Sequence, residues 1–122
     1  MVRTRNSSAL HDMLIREMIS TYESGGYYNI KADHIGHPNG SPNEVNDYIP
    51  DVSAVKNGAT VICEAETADS LYEQHTINQW KAFSKSAYEF HVVVPLSALN
   101  EAKKMAVQNN ITVNNWWYSA NA

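Results

Sequence analysis

Residues 48–67 read YIPDVSAVKNGATVICEAET, and this stretch decides the fold. Two runs of β-branched and small residues flank the dipeptide Asn57-Gly58. Asn-Gly suits both positive-φ positions of a type I′ turn, so the stretch predicts a β-hairpin with a two-residue loop. Counting outward in register from that loop sets Asp51 opposite Glu64.

The predicted hairpin places its acidic side chains on one face. Because side chains alternate along a strand, Glu66 shares the face of Glu64. We expect Pro50 and the preceding loop to open this end of the sheet to solvent. The opposite face is small and apolar and is predicted to face the core. It carries Val52, Ala54, Ala59, Val61, Cys63 and Ala65.

Two directly opposed carboxylates would repel each other. With Cβ atoms about 5 Å apart, two charges repel by roughly 3 kcal/mol at an effective dielectric constant of ~20. A hard divalent cation converts that repulsion into attraction. Asp51, Glu64 and Glu66 are therefore candidate ligands of Mg²⁺ or Mn²⁺. Two alternatives stay open, namely a bulge that offsets the register and a lysine that neutralises a solvated acidic cluster.

The rest of the chain predicts helices and strands around this hairpin. Apolar residues with a 3.6-residue period predict a first helix that ends at Gly25-Gly26. The resulting order, α-β-β-β-α-β-α-β, predicts one α/β domain over residues 1–122, with a mixed sheet covered by helices. The remaining predicted elements are a strand at 27–32, a loop at 33–47, a helix at 70–88, a strand at 89–94, a helix at 96–109 and a strand at 111–118.

Composition limits the classes of function and the expected compartment. The 122 residues allow one domain, and nine basic against thirteen acidic residues give a net charge of −4. That balance argues against a broad basic face that grips polyanions. One cysteine, Cys63, cannot form an internal disulfide. The basic start at residues 1–5 leads into no signal-peptide core and no run is long enough to span a bilayer, so we expect a cytoplasmic protein without a membrane segment.

Pro50-Asp51, a hairpin turn and then Glu64-Ala65-Glu66, placed between a first and a second helix, resemble the PD-(D/E)XK nuclease superfamily. The resemblance covers about residues 7–94. It implies a restriction-endonuclease-like mixed sheet flanked by helices, similar to type II restriction enzymes and archaeal Holliday junction resolvases. It also implies that Asp51 and Glu64 ligate Mg²⁺.

Three further residues are assigned by the same resemblance. Glu66 occupies the place that lysine usually holds, although some restriction enzymes carry Glu-x-Glu there; it would accept the proton of the attacking water or serve as a further metal ligand. Glu17 resembles the helix-one glutamate of the resolvase-like branch, and a solvated helix acid is the alternative. Gln79 resembles a polar position of the second helix that often faces the site, and a surface glutamine is the alternative.

The functional hypothesis is a metal-dependent DNA endonuclease that hydrolyses phosphodiester bonds through Asp51, Glu64 and Glu66. The alternative is a catalytically inactive module of the same fold that serves nucleic-acid binding or protein assembly. By analogy, a homodimer would address both strands of a duplex. The segment 116–118, Trp-Trp-Tyr, could stack on bases or form a dimer contact, and a packing role is the commoner outcome. His34 and His37 lie in the loop before the hairpin and could approach DNA or the scissile phosphate, and an ordinary loop histidine is the favoured alternative.

Overall fold

A computed structural model describes residues 5–121 as a mixed sheet with helices on both faces. The basic start of the chain, at residues 1–4, lies outside the described part. The predicted α/β class and the order of its elements are confirmed. The helices are α1 (Arg5–Ser24), α2 (Gln74–Ser84) and α3 (Leu99–Gln108). The strands are β1 (Tyr28–Ala32), β2 (Val52–Lys56), β3 (Ala59–Ala65), β4 (Glu89–Pro95) and β5 (Asn115–Ser119).

The sheet keeps its strands in chain order, β1-β2-β3-β4-β5. The first three strands pair antiparallel, whereas β4 and β5 add in parallel. Parallel neighbours need a long crossover connection, and α2 and α3 supply the two crossovers. None of the helices within residues 5–121 combines the length and the apolar character needed to cross a membrane.

The hairpin between β2 and β3 has the predicted turn and register. Asn57 and Gly58 have φ angles of 53° and 77°, as a type I′ turn requires. Lys56 pairs with Ala59, and the ladder continues without a shift to Val52 and Cys63. The bulge alternative is therefore wrong for this pair of strands, and the irregularity in the sheet lies between β1 and β2.

The sheet separates two apolar clusters. One face of the sheet packs against α1. The largest fully buried side chains of this cluster are Tyr22, Leu14 and Ile15 of the helix. The other face packs against α2 and α3 around Trp80 and Phe83. The small apolar residues of the hairpin belong to the first cluster, with Ala59 exposed at the turn. Burial on both faces leaves the ends of the strands as the places where polar groups can converge.

Several predicted element boundaries are wrong: the helix predicted for 70–88 ends at Ser84, the helix predicted for 96–109 begins at Leu99, and two further starts have a clear cause. The helix predicted for 70–88 begins at Gln74, because Ala68–Ser70 forms a separate 3-10 turn and the Ser70 hydroxyl bonds the Thr67 carbonyl. The strand predicted for 111–118 begins at Asn115. Here the residue before the strand, Asn114, bonds Phe90 through both its backbone N–H and its side-chain oxygen. In both cases side-chain hydrogen bonds to backbone decide the boundary.

A buried polar network joins α1, β4 and β5. His91 is fully buried, and its Nδ1 lies 3.0 Å from the Trp117 indole N–H and 2.8 Å from the Tyr22 hydroxyl. An indole N–H can only donate, so Nδ1 accepts and the ring proton sits on Nε2, which donates to Glu89 at 2.6 Å. Burial lowers the pKa of His91 against the opposing effect of Glu89. The network therefore uses the neutral imidazole.

We expect Tyr22→Phe to lower the free energy of unfolding by about 1 kcal/mol, the net contribution of one buried hydrogen bond. The loss stays moderate because Trp117 still donates to His91 Nδ1. Urea denaturation measures the change. Tyr28→Phe is the matched control, since Tyr28 is 55% exposed, and its free energy should stay within about 0.5 kcal/mol of the parent. Equal effects of the two variants would contradict the assigned network.

Candidate active site

The three predicted acids converge at one end of the sheet. Asp51 directly precedes β2, Glu64 lies near the end of β3, and Glu66 follows it. Their side chains line one cavity of about 290 Å³. Only 2–4% of each residue is exposed, so the expectation that they face open solvent is wrong. The reason is that α1 and the loop before β2 cover this end of the sheet with histidine side chains.

Those histidines are His11 and His34, and both contact Asp51. His11 Nε2, from α1, lies 3.2 Å from Asp51 Oδ2, while His34 Nε2 lies 3.4 Å from Asp51 Oδ1. Burial raises the pKa of Asp51, but hydrogen bonds from His11, His34 and the Ala65 N–H outweigh it and hold that pKa below its ordinary value. The carboxylate thus stays ionised although it is buried.

The two opposed acids are held together by backbone donors. Asp51 N–H donates to Glu64 Oε1 at 3.0 Å, and Ala65 N–H donates to Asp51 Oδ2 at 2.8 Å. Each carboxylate therefore accepts a hydrogen bond from the other strand of the hairpin. These charge-assisted bonds offset the repulsion expected from the sequence, and they fix both side chains toward the cavity.

Glu66 is oriented by a different element. Its Oε1 accepts a hydrogen bond from the Ser70 hydroxyl at 2.7 Å, within the 3-10 turn that leads to α2. The Glu66 backbone N–H bonds the Val93 carbonyl on β4. The side chain that replaces the expected lysine is thus anchored at both ends, beside the other two acids.

Helix α2 contributes the remaining wall of the cavity. Gln79, predicted from the sequence, is half-buried and lines it as expected. The other lining residues from this part of the chain are Ser70, Glu73, His75 and Thr76. Ser70 lies in the 3-10 turn and Glu73 at the N-cap of α2, whereas Thr76 and Gln79 are three residues apart on one face of the helix.

Glu17 is not brought to this cavity. It lines a separate groove between α1 and β5, where it accepts a hydrogen bond from Asn121 at 3.1 Å. Six residues rotate a helix by about 600°, so Glu17 and His11 point in different directions from α1. The helix-one position that reaches Asp51 is therefore His11, and the assignment of Glu17 to the site is corrected.

His11 was missed by sequence reasoning, and His34 was taken for an ordinary loop residue. A signal for His11 was present, since it stands three and four residues before Leu14 and Ile15 on the buried stripe of α1. A polar residue on such a stripe needs a buried partner. His34 gives no comparable signal; its partner depends on the path of the loop.

The Trp-Trp-Tyr segment of β5 is mostly packed. Trp116 lies against the cluster under α2 and α3, and Trp117 lies against the cluster under α1. Tyr118 remains 58% exposed on the edge strand. The two tryptophans are therefore explained by packing, and Tyr118 is the member left available for contact with another molecule.

The donor set suits a hard divalent cation, because three carboxylates line one cavity. Within residues 5–121, however, no three His, Cys, Asp or Glu side chains form a ready-made metal-binding group. The acids instead hold backbone N–H groups and histidines. A cation that binds here would have to displace some of these hydrogen-bond partners from the carboxylates.

A scan against protein-family models, a search of curated proteins and a search of solved structures each gave no match.

Proposed function

We propose that this protein is a metal-dependent DNA endonuclease of the PD-(D/E)XK type. One observation carries the proposal: Asp51 and Glu64, from adjacent strands, are hydrogen-bonded across the hairpin and line one cavity together with Glu66. Buried carboxylates that line one cavity, with the pKa of Asp51 shifted from its ordinary value, are a pattern that is typical of functional sites.

The order of elements supports the proposal. A helix precedes three antiparallel strands, a second helix follows, and the fourth strand adds in parallel. The resemblance implies this order of elements, with the acids on the second and third strands. The covering helix and loop also leave a cavity at that end of the sheet.

Four residues of the cavity would have distinct chemical roles in this reaction. Asp51 and Glu64 would hold Mg²⁺ or Mn²⁺, which when bound supplies Lewis-acid stabilisation of charge on the phosphate. Glu66, oriented by Ser70, accepts a proton from the water that attacks phosphorus. His11 positions Asp51 through its hydrogen bond to Oδ2. The oxygen–phosphorus bond then breaks on the 3′ side, and the proton reaches the 3′ oxygen from solvent.

The direct test is a cleavage assay with supercoiled plasmid, a four-way junction and flapped DNA. We expect the native protein to cleave at least one of them with Mg²⁺ or Mn²⁺ and none in EDTA. Asp51→Asn should abolish cleavage, because it removes the charge at the centre of the site. Asp47→Asn is the matched control, since Asp47 is exposed on the same loop. Cleavage that persists in Asp51→Asn would refute the assigned site.

Metal binding is tested separately by calorimetric titration with Mn²⁺. We expect saturable heat with the native protein and with Asp47→Asn, and a strongly reduced signal with Asp51→Asn. The affinity should fall as the pH is lowered, because the ligand carboxylates must be deprotonated. Absence of heat with native protein would contradict the metal-dependent mechanism.

A second candidate is a catalytically inactive module of the same fold that binds nucleic acid or assembles with protein. Two observations favour it: Glu66 stands where lysine is usual, and the net charge is −4. It predicts no cleavage in any of the three assays. Retained DNA binding, measured by fluorescence anisotropy with a labelled junction, would then support this candidate over the enzyme.

A further inference from the structure

We propose that the first turn of α2 binds a phosphate group of the substrate, beside the acidic cluster. The inference rests on the proposed function, because it assigns a subsite of the same cavity. The ligand chemistry is a phosphate oxygen anion, and the contacts come from backbone N–H groups of α2 and from the hydroxyl of Thr76. Neither was singled out by the sequence.

The first observation concerns the start of α2, an eleven-residue helix. Glu73 stands at its N-cap position, but its side chain makes no capping hydrogen bond. Within residues 5–121, the first backbone bond of the helix is from Ile77 N–H to Glu73. The N–H groups of the first turn are thus left for another acceptor, and they carry the positive end of the helix dipole.

The second observation is Thr76, which is independent of the helix end. Thr76 is 4% exposed and lines the cavity with Asp51 and Glu64. Among the hydrogen bonds of the described residues, none uses its hydroxyl. In the described part of the chain, the polar side-chain atom that is both sealed from solvent and without a partner is Trp80 Nε1, so the unpartnered Thr76 hydroxyl is not sealed. The Thr76 hydroxyl is therefore a buried donor that is open toward the cavity and lacks an acceptor.

Neighbouring groups show why Thr76 is the donor available to a ligand. The Ser70 hydroxyl, also on this wall, already donates to Glu66 at 2.7 Å. Gln79 adds a neutral amide one turn along the helix. A hydroxyl, backbone N–H groups and an amide together match the oxygens of a phosphate.

Among the described residues on the α2 side of the cavity, Glu73 carries the charge that opposes an anion, in addition to the acidic cluster opposite. Its carboxylate lines the same cavity and is half-buried. A phosphate here would be repelled by Glu73 and attracted by the helix end. Replacing Glu73 with glutamine should therefore strengthen phosphate binding. If this wall bound a cation instead, replacing Glu73 with glutamine would weaken binding.

The experiment follows backbone amides by ¹⁵N–¹H NMR while inorganic phosphate is added in the presence of Mg²⁺. We expect saturable shifts of the His75 and Thr76 amides. Thr76→Val keeps the shape and removes the hydroxyl, so it should weaken the affinity about tenfold. Thr112→Val is the matched control, since Thr112 is exposed after α3, and its affinity should be unchanged. Glu73→Gln should tighten binding several-fold.

Two DNA trinucleotides then identify the source of the phosphate. One carries only internal diesters, and the other has in addition a 5′-terminal monophosphate. Shifts with both indicate a backbone phosphate, and shifts with the second alone indicate a terminal one; either result supports the subsite. The proposal is overturned if neither probe nor inorganic phosphate moves these amides, or if Thr76→Val binds as well as Thr112→Val.

This readout does not depend on cleavage. If the protein cleaves DNA but its α2 amides do not shift with phosphate, the subsite proposal is overturned and the nuclease proposal stands. Protein that binds phosphate at α2 but never cleaves would overturn the nuclease proposal and leave the anion contact itself observed.

Discussion

Glu64→Gln is expected to lower the rate of metal-dependent DNA cleavage about 100-fold or more. The side chain keeps its shape, and its amide oxygen can still accept the Asp51 N–H that now bonds Oε1 at 3.0 Å. What disappears is the negative charge that would hold the cation. The expected loss is therefore in cleavage rather than in folding, and the single-turnover rate at saturating DNA measures it.

Glu44→Gln is the matched control for that variant. Glu44 is exposed in the loop before β2, and loss of its charge should leave the cleavage rate within about twofold of the native rate. Circular dichroism and urea denaturation establish that both variants fold. A Glu64→Gln protein that folds and cleaves at the native rate would show that this carboxylate is dispensable, and the mechanism would then fail.

Asp51 should make a large contribution to the acid sensitivity of the fold. Its folded pKa is lowered to about 2: burial raises the pKa, but hydrogen bonds from His11 and His34 lower it further. A depressed carboxyl pKa stabilises the protein above its unfolded value near 4, and this stability is lost as the pH falls through the folded pKa. We expect Asp51 to account for a loss on the order of 2 kcal/mol in unfolding free energy between about pH 4 and pH 2.

The measurement compares urea denaturation of the native protein, Asp51→Asn and Asp47→Asn across that range. All carboxylates titrate there, so the informative quantity is the difference between curves. Asp47→Asn should keep the native slope, and Asp51→Asn should be flatter. Parallel curves for all three proteins would mean that Asp51 is not held ionised by its histidine partners.

Much of the fold follows from local patterns. The Asn57-Gly58 turn and the alternation of side chains determine the register from Lys56–Ala59 to Val52–Cys63, and the ladder has those pairs. A two-residue turn leaves no freedom to shift the strands, so short-range chemistry suffices. The α/β class was predictable for a related reason, since each amphipathic element has a period that identifies it.

Boundaries were predicted less well because they depend on single hydrogen bonds. Serine is a residue type that often starts a helix. The Ser70 hydroxyl instead bonds the Glu66 carboxylate and the Thr67 carbonyl, and α2 begins later. Asn114 likewise bonds Phe90 on a neighbouring strand before β5 starts. Such contacts join residues that hydrophobic periodicity does not relate to each other.

The sequence by itself determined the hairpin, the shared face of Asp51, Glu64 and Glu66, and the order of helices and strands. Tertiary structure alone decided that these acids are buried, that His11 rather than Glu17 approaches them, and that Thr76 opens into the same cavity. Register relates residues across one turn, whereas His11 and Asp51, 40 positions apart in the sequence, are brought together by the packing of α1 on the sheet. That packing depends on the whole core, so no local pattern contains it.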